Sequence, residues 1–414
     1  MSDTYSLTER LAKQMDRLVE VPEHICARRH LLDWLACVVG ARNSDVARCF
    51  DEVNDDAAAK SAFLGNVLEM DDIHRTARLH PGPVIWPTVL FGDPDSMDAM
   101  LSAAVRGYEA MIAIGATLDA KHYSHFHPTA TAGVFGAAAA AAALLECDAR
   151  EMASALGLAG SVSGGVWQTR NEPVMAKQWH IMHAMMTGGS AAYYARIGMT
   201  GPRFVLEGPQ GLYAAICDAP KPLMLGPVWR IHEVSFKPWA ACRHAQPAMD
   251  ATRALMAQGA TIDGPIEIAT YADALAFCDR PDLTTEAEAK FSIQHAVAVM
   301  LDGRFGGPED FTPAAIAALA PITARVTVVE APEFTSRYPE HYGARASGGG
   351  MTVDLVDTLG DPERPLDEAG LIAKVHSLFK WGGLGWAEAN RAIDLALHGD
   401  DPAAIRSAIE EWLA

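Results

Sequence analysis

The run PTATAGVFGAAAAAAALL, from Pro128 to Leu145, restricts the architecture of this 414-residue chain more than any other stretch. Alanine is the strongest helix former, and a helix faced with Ala and Gly lets neighbouring backbones come close. Thr129 or Thr131 stands where an N-cap is expected. The run therefore predicts a central, closely packed helix. Val134 to Leu145 is too short to span a bilayer. Half of all residues are apolar and only 7% are aromatic, which suits tightly packed helices.

Helical periodicity extends on both sides of this run. Leu7, Leu11, Leu31, Leu32, Leu35, Ala36 and Val39 recur at helical spacing, with a break at Val21-Pro22. Ala57 to Leu68 and Met97 to Leu118 read as further helices, the latter with Tyr108, Met111 and Ile112 on one face. Ala155 to Trp167 reads as a buried helix or a helix and turn. If Val174 to Ile197 is helical, Lys177 and His180 share a face. Between Gly201 and Lys221 glycine and proline recur, marking loops and a passage into a second domain. Beyond it β-like runs appear at Ile266 to Thr270, Val326 to Glu330 and Met351 to Leu359, with helical segments between them. Gly348-Gly349-Gly350 lacks the GK[ST] of a phosphate loop and reads as a hairpin tip. From Glu368 to Leu413 the pattern is helical again. The fold class expected is mainly α, with an α+β portion late in the chain.

The net charge of −19 argues against nucleic acid, whose phosphates need a basic face. Residues 1–18 contain no apolar core of signal-peptide length, and no stretch suggests a membrane span. The seven cysteines are scattered without a CxxC, which suits reduced thiols and a cytoplasmic setting. No GxSxG elbow or strand-borne GxGxxG is present, so neither a serine hydrolase nor a nicotinamide cofactor is expected. His122, His125 and His127 with Asp71 or Asp72 offer zinc- or iron-type ligands, but Pro128 makes their segment a loop. No metal is expected.

The chemistry concentrates between Gly65 and Pro87, GNVLEMDDIHRTARLHPGPVIWP, where Glu69, Asp71, Asp72, His74, Arg75 and His80 share one window flanked by apolar residues. Carboxylates and imidazoles so placed shift one another's pKa values and are candidates for proton transfer. Cations in apolar surroundings occur elsewhere: His127, Lys177 with His180, and Lys237 and Arg243 in SFKPWAACRHAQP. Together they supply the local positive field that a polycarboxylate needs in an acidic protein.

An acidic residue before a DD pair, a His, then HPG resembles the signature of the MmgE/PrpD family. FHPTATAG at Phe126 to Gly133, MAKQWH at Met175 to His180, SFKPWAACRHAQPA, and the segment Glu288 to Gly303 extend that resemblance over nearly the whole chain. It implies a large all-helical domain built from both chain ends (residues 1–230 and 366–414) and a smaller inserted α+β lid domain (231–365), with the active site in the cleft between them. It also implies a homodimer, no cofactor, and proton chemistry on a small di- or tricarboxylate, as in the family's dehydratases, decarboxylases and epimerases. By motif, Glu69 resembles the acidic residue before the DD pair, His80 the HPG histidine, His127 the FHP histidine, and Lys177 and Lys237 the family's two lysines. Asp72, His74, His180, Arg243 and His295 complete the expected substrate contacts. Asn66 stands where many members have a histidine, and His295 where a tyrosine is common. A lyase outcome is favoured over epimerisation, and a catalytically silent carboxylate binder is the alternative from another class.

Overall fold

The computed structural model describes residues 5–50, 56–170, 172 and 174–414; of Arg170 it describes the backbone alone. The chain divides into two compact units. One comprises the stretch up to Val67, Asp71–Val234 and Gly385–Ala414, and the other Leu68–Met70 and Ser235–Leu384. The architecture is mainly α with a small sheet region. Among the described residues, no helix is long and apolar enough to cross a membrane.

Five helices organise the first unit: α1 (Val21–Gly40), α2 (Gly82–Leu90), α3 (Met97–Gly115), α4 (Pro128–Leu144) and α5 (Ala176–Arg196). The alanine-rich α4 lies at its centre, packed against α2, α3 and α5. Pro128 occupies its first turn, where the missing N–H costs nothing. Helix α4 is buried on every side, with Ala132, Ala137, Ala138, Ala139, Ala140 and Ala142 fully inaccessible. The neighbours approach so closely that side chains are excluded. A Cβ on Gly107 of α3 would lie 2.9 Å from Ala140 Cβ, and one on Gly188 of α5 only 2.4 Å from Ala137 Cβ. The first unit contains both ends of the described chain. Arg28 of α1 donates to the carbonyls of Ala396 and Gly399 at 3.0 and 2.8 Å, and Lys60 Nζ donates to Leu413 O at 2.8 Å.

The second unit holds a four-stranded sheet of β1 (Ile266–Thr270), β2 (Val326–Glu330), β3 (Ala344–Gly348) and β4 (Met351–Leu355), in the order β2-β1-β3-β4. Strands β1 and β2 run parallel in the register Ile266↔Val326, while β3 is antiparallel to β1 and β4. Gly349 and Gly350 join β3 to β4 with positive φ of 58° and 76°, as a two-residue hairpin turn requires. Thus the triple glycine is a hairpin tip. Helices α6 (Gln246–Ala257) and α7 (Ile293–Leu301) pack together, and α6 also covers β3 and β4. The segment 366–384, including the helix Glu368–Trp381, falls in this unit.

Candidate active site

In the first unit, the polar window is threaded through the helical core, where each buried charge needs a partner. Asp72 is 2% exposed, and its carboxylate accepts three hydrogen bonds. They come from His30 Nδ1 at 2.8 Å, Tyr108 Oη at 2.6 Å and the backbone N–H of Gly82 at 2.8 Å. The last contact sets a carboxylate at the start of α2, where the helix dipole favours negative charge. It also explains the glycine of HPG, because a Cβ on Gly82 would sit 2.7 Å from Asp72 Oδ1. Asp72 therefore holds the HPG turn in place.

The other member of the DD pair faces the histidine. Asp71 Oδ2 lies 2.9 Å from His80 Nδ1, and Asn66 Nδ2 donates to both Asp71 oxygens at 2.7 Å. A carboxylate on Nδ1 fixes that nitrogen as the donor and leaves Nε2 as the proton-exchanging atom. The backbone N–H of His80 is tied to Thr129 Oγ1 at 3.1 Å, linking the turn to the first residues of α4.

His127 is the N-cap residue of α4 and is 1% exposed. Its ring stacks on Trp167 with centroids 4.5 Å apart, and its Nδ1 lies 3.4 Å from His180 Nδ1. Burial, followed by the positive charges of Lys177, His180, His80 and His122, holds its pKa well below the usual imidazole range. His127 is thus a neutral imidazole beside a lysine, with a lone pair to offer. Lys177 and His180 come from the first two turns of α5, sharing a face as their spacing predicted. Thus His180 touches His127, and Lys177 and His80 lie near enough for their charges to act on it.

His74 does not belong to that group. Its Nδ1 accepts from Ala77 N at 3.2 Å and its Nε2 donates to Glu233 at 3.0 Å, so both ring nitrogens are occupied. The three histidines of HYSHFH also separate. His122 Nε2 pairs with Thr131 Oγ1 at 2.9 Å, exposed His125 bonds Ser124 at 2.7 Å, and His127 turns to His180. Their segment Ala120–His125 is a short helix and not the loop that Pro128 suggested.

The second unit holds the remaining residues. Lys237 is fully buried with its Nζ 3.7 Å from Glu69 Oε2. Glu69 adopts the left-handed conformation with φ of 55°, a strained choice for a residue with a Cβ. Arg243, 2% exposed, pairs with Asp361, which also accepts from Ser235 Oγ at 2.6 Å. The Nε and Nη1 of Arg243 are buried without a hydrogen-bond partner among the described residues, leaving two donors for an anion. His295 Nε2 donates to the carbonyl of Asp310 at 2.8 Å, a backbone anchor.

Four partners were not among the site residues expected from the sequence. Asp71 carried the signal of the DD pair, and Asn66 was visible only as a departure from histidine. Trp167 and His30 carried none, since neither belongs to a motif and periodicity reports burial and not contact.

Sequence models of known families match most of the chain. The MmgE/PrpD N-terminal domain matches residues 47–224 and the MmgE/PrpD C-terminal domain residues 239–398. Two similar proteins are the cis-aconitate decarboxylases of Homo sapiens and Mus musculus. The human protein is 30% identical over 190 residues, which is 43% of this chain and 39% of the relative. The mouse protein is 27% identical over 196 residues, 44% of this chain and 40% of the relative. The matched region thus spans about two-fifths of each relative's length.

Proposed function

Because this chain belongs to the MmgE/PrpD family, we propose that it is a cofactor-independent lyase acting on a small di- or tricarboxylic acid by proton transfer next to a carboxylate. The observation that carries this reading is the buried His127, stacked on Trp167 and against His180, within reach of the charges of Lys177 and of the His80 that Asp71 holds. The names of the two decarboxylase relatives support a citrate-like substrate.

In the reaction proposed, the electron pair left on carbon spreads into the adjacent carboxylate as an enolate. In dehydration a base removes the proton and hydroxide leaves from the neighbouring carbon. In decarboxylation the C–C bond to a carboxylate breaks, CO₂ departs, and the same carbon takes a proton. Lys177 stabilises the developing charge, as a fixed cation in a water-poor site does. His127, neutral at physiological pH, accepts a proton; His80 delivers one from Nε2, with Asp71 offsetting the positive charge on its ring. Lys237 with Glu69, and Arg243 with its two open donors, are the proposed carboxylate-binding set of the second unit. As a further proposal the protein is a homodimer. Trp179, Met186 and Tyr193 of α5 and Ile197 at its C-cap are exposed at helical spacing, beside an apolar groove of about 260 Å³ that Met185 and Leu144 help line.

The test is a proton-NMR screen of cis-aconitate and other di- and tricarboxylic acids in heavy water. Decarboxylation, or hydration of an unsaturated acid, should place solvent deuterium on the carbon that takes up the proton, and His127→Ala and His80→Ala should each abolish it. An inverted, labelled substrate of unchanged composition would identify an epimerase instead. Decarboxylation or hydration without label at any carbon would refute proton transfer, and binding without turnover would leave a silent carboxylate binder.

A further inference from the structure

Beyond the helix Ala149–Gly160 the chain is tied to the start of α4 by side chains and backbone together. Ser163 Oγ donates to the carbonyl of Thr131 at 2.8 Å, and Thr131 Oγ1 donates to the carbonyl of Gly164 at 3.1 Å. The N–H of His127 donates to Gly165 O at 2.8 Å, and Phe126 and Val166 form an antiparallel bridge. Only glycine fits at position 165, where φ is 96° and a Cβ would lie 2.4 Å from Ala130 Cβ. Trp167 follows, and its ring stacks on His127 with centroids 4.5 Å apart.

His122 supplies the far end of this anchor. Its Nε2 lies 2.9 Å from the same Thr131 Oγ1. A hydroxyl has one proton and the Gly164 carbonyl can only accept, so Thr131 donates to Gly164 and accepts from His122 Nε2–H. His122 is then a neutral imidazole with a bare Nδ1, and that atom is buried without a hydrogen-bond partner among the described residues. Burial first, and then the charge of Arg78, bring His122 down to about 4, which agrees with the neutral form.

We propose that the segment 163–167, held by the relay from His122 through Thr131 to Gly164, is the positioning device of His127, laying the Trp167 ring over the imidazole and fixing its orientation. Thr131 and His122 are positioning residues, acting on the reaction only through His127. The role of His127 rests on the lyase reading above, whereas the state of its ring does not.

The charged and titratable groups that face His127 are Lys177 and His180 from α5, His80 from the HPG turn and His122 from the short helix Ala120–His125. All four oppose a positive charge on the ring, and burial opposes it more strongly still. The indole of Trp167 supplies part of that burial. Taking it away lets water reach the ring, so the charged form costs less and the pKa rises.

The experiment uses the full chain carrying carbon-13 at histidine Cε1, the His127 signal being the one lost in His127→Gln. In the wild type this signal should stay that of a neutral ring from about pH 5.5 to 8. Thr131→Val keeps the side-chain shape and removes the hydroxyl that joins His122 to Gly164; Trp167→Ala removes the cover itself. Both should bring the His127 midpoint up into that window, and Thr131→Ser should keep it below. Thr117→Val is the control, because it loses an equally buried hydroxyl of the same unit, bonded to Ile114 O at 2.6 Å and Tyr213 Oη at 2.8 Å. It should leave His127 unchanged. With an acid that turns over, Thr131→Val should lower kcat towards the about 100-fold that a misplacement of ~1 Å costs, with KM moved less than about threefold. A His127 signal that titrates alike in wild type, Thr131→Val and Trp167→Ala overturns the proposal, and so does an equal shift in Thr117→Val. A raised midpoint with kcat intact in Thr131→Val overturns the positioning role. If no acid turns over, the lyase reading fails, and the titration alone decides whether this segment sets the state of His127.

Discussion

Replacing Asp72 by Asn tests whether the buried carboxylate organises the first unit. The change keeps the shape and removes the charge. If the amide oxygen keeps its place facing Tyr108 and His30, the NH₂ group confronts the Gly82 N–H, two donors meeting where one bond stood. An unpaired buried amide costs about 1–3 kcal/mol. His30 also loses its counter-charge. Burial disfavours its charged form, but the bonds to Asp72 and Cys26 outweigh this and raise it to about 10. Against an unfolded value near 6.5, that shift is worth about 4 kcal/mol at pH 7, with Cys26 contributing part of it. Breaking a buried ion pair from one side costs about 3–5 kcal/mol in general. The terms belong to one network and do not add, so about 4 kcal/mol is the expected total. With a urea slope near 3 kcal/mol/M, the midpoint should fall by about 1.3 M. The pH dependence carries the sign. A histidine whose folded pKa is raised contributes stability that is complete below the unfolded value and lost as pH rises through the folded one. The gap between wild type and Asp72→Asn should therefore be full up to about pH 6.5, still nearly so at pH 7, and narrow towards pH 10. Urea unfolding followed by circular dichroism at pH 7 and pH 10 measures both. A loss below 1 kcal/mol, or an equal loss at both pH values, refutes the reasoning.

Other outcomes follow from the same geometry. Lys177→Met should lower kcat about 100-fold or more if its cation stabilises the enolate. It should also raise the acid limb of the pH–rate profile, because removing a neighbouring positive charge lifts His127 back towards ordinary imidazole values. An acid limb that does not move would separate Lys177 from His127. Gly188→Val should destabilise by about 1–3 kcal/mol or more, since its Cβ would meet Ala137 Cβ at 2.4 Å and Val134 O at 2.5 Å; thermal unfolding reads this directly. Gly189→Ala beside it, with open space at the Cβ position, should leave stability unchanged or slightly improved.

The residues that announce themselves by local rules were legible in the sequence. Alanine density predicted a central helix, and α4 is one because small side chains leave nothing to hold two backbones apart. The β-branched runs IEIAT and VTVVE became β1 and β2 at the limits their composition suggested, and the glycines after Ala346 turned as a hairpin. Lys177 and His180 share a face because the helical period puts them there.

Only the tertiary structure decided the rest. ARASG has little intrinsic preference for a strand, yet it is paired on both sides by β1 and β4, and the β1 side of that ladder is supplied from far along the chain. The helix expected over Ala57 to Leu68 stops at Leu64 with Gly65 as its C-cap, a position packed too closely against Trp34 and Pro83 for a Cβ. The window Glu69 to His80 reads as one polar cluster, but the fold deals its members to different partners: Asp71 to His80, Asp72 to His30 and Tyr108, His74 to Glu233, and Glu69 to Lys237. Each of those partners lies outside the window except His80. Sequence spacing sets which residues are near in the chain, whereas a buried charge is settled by whichever opposite group the packing brings within 3–4 Å, roughly the reach of an ion pair or hydrogen bond.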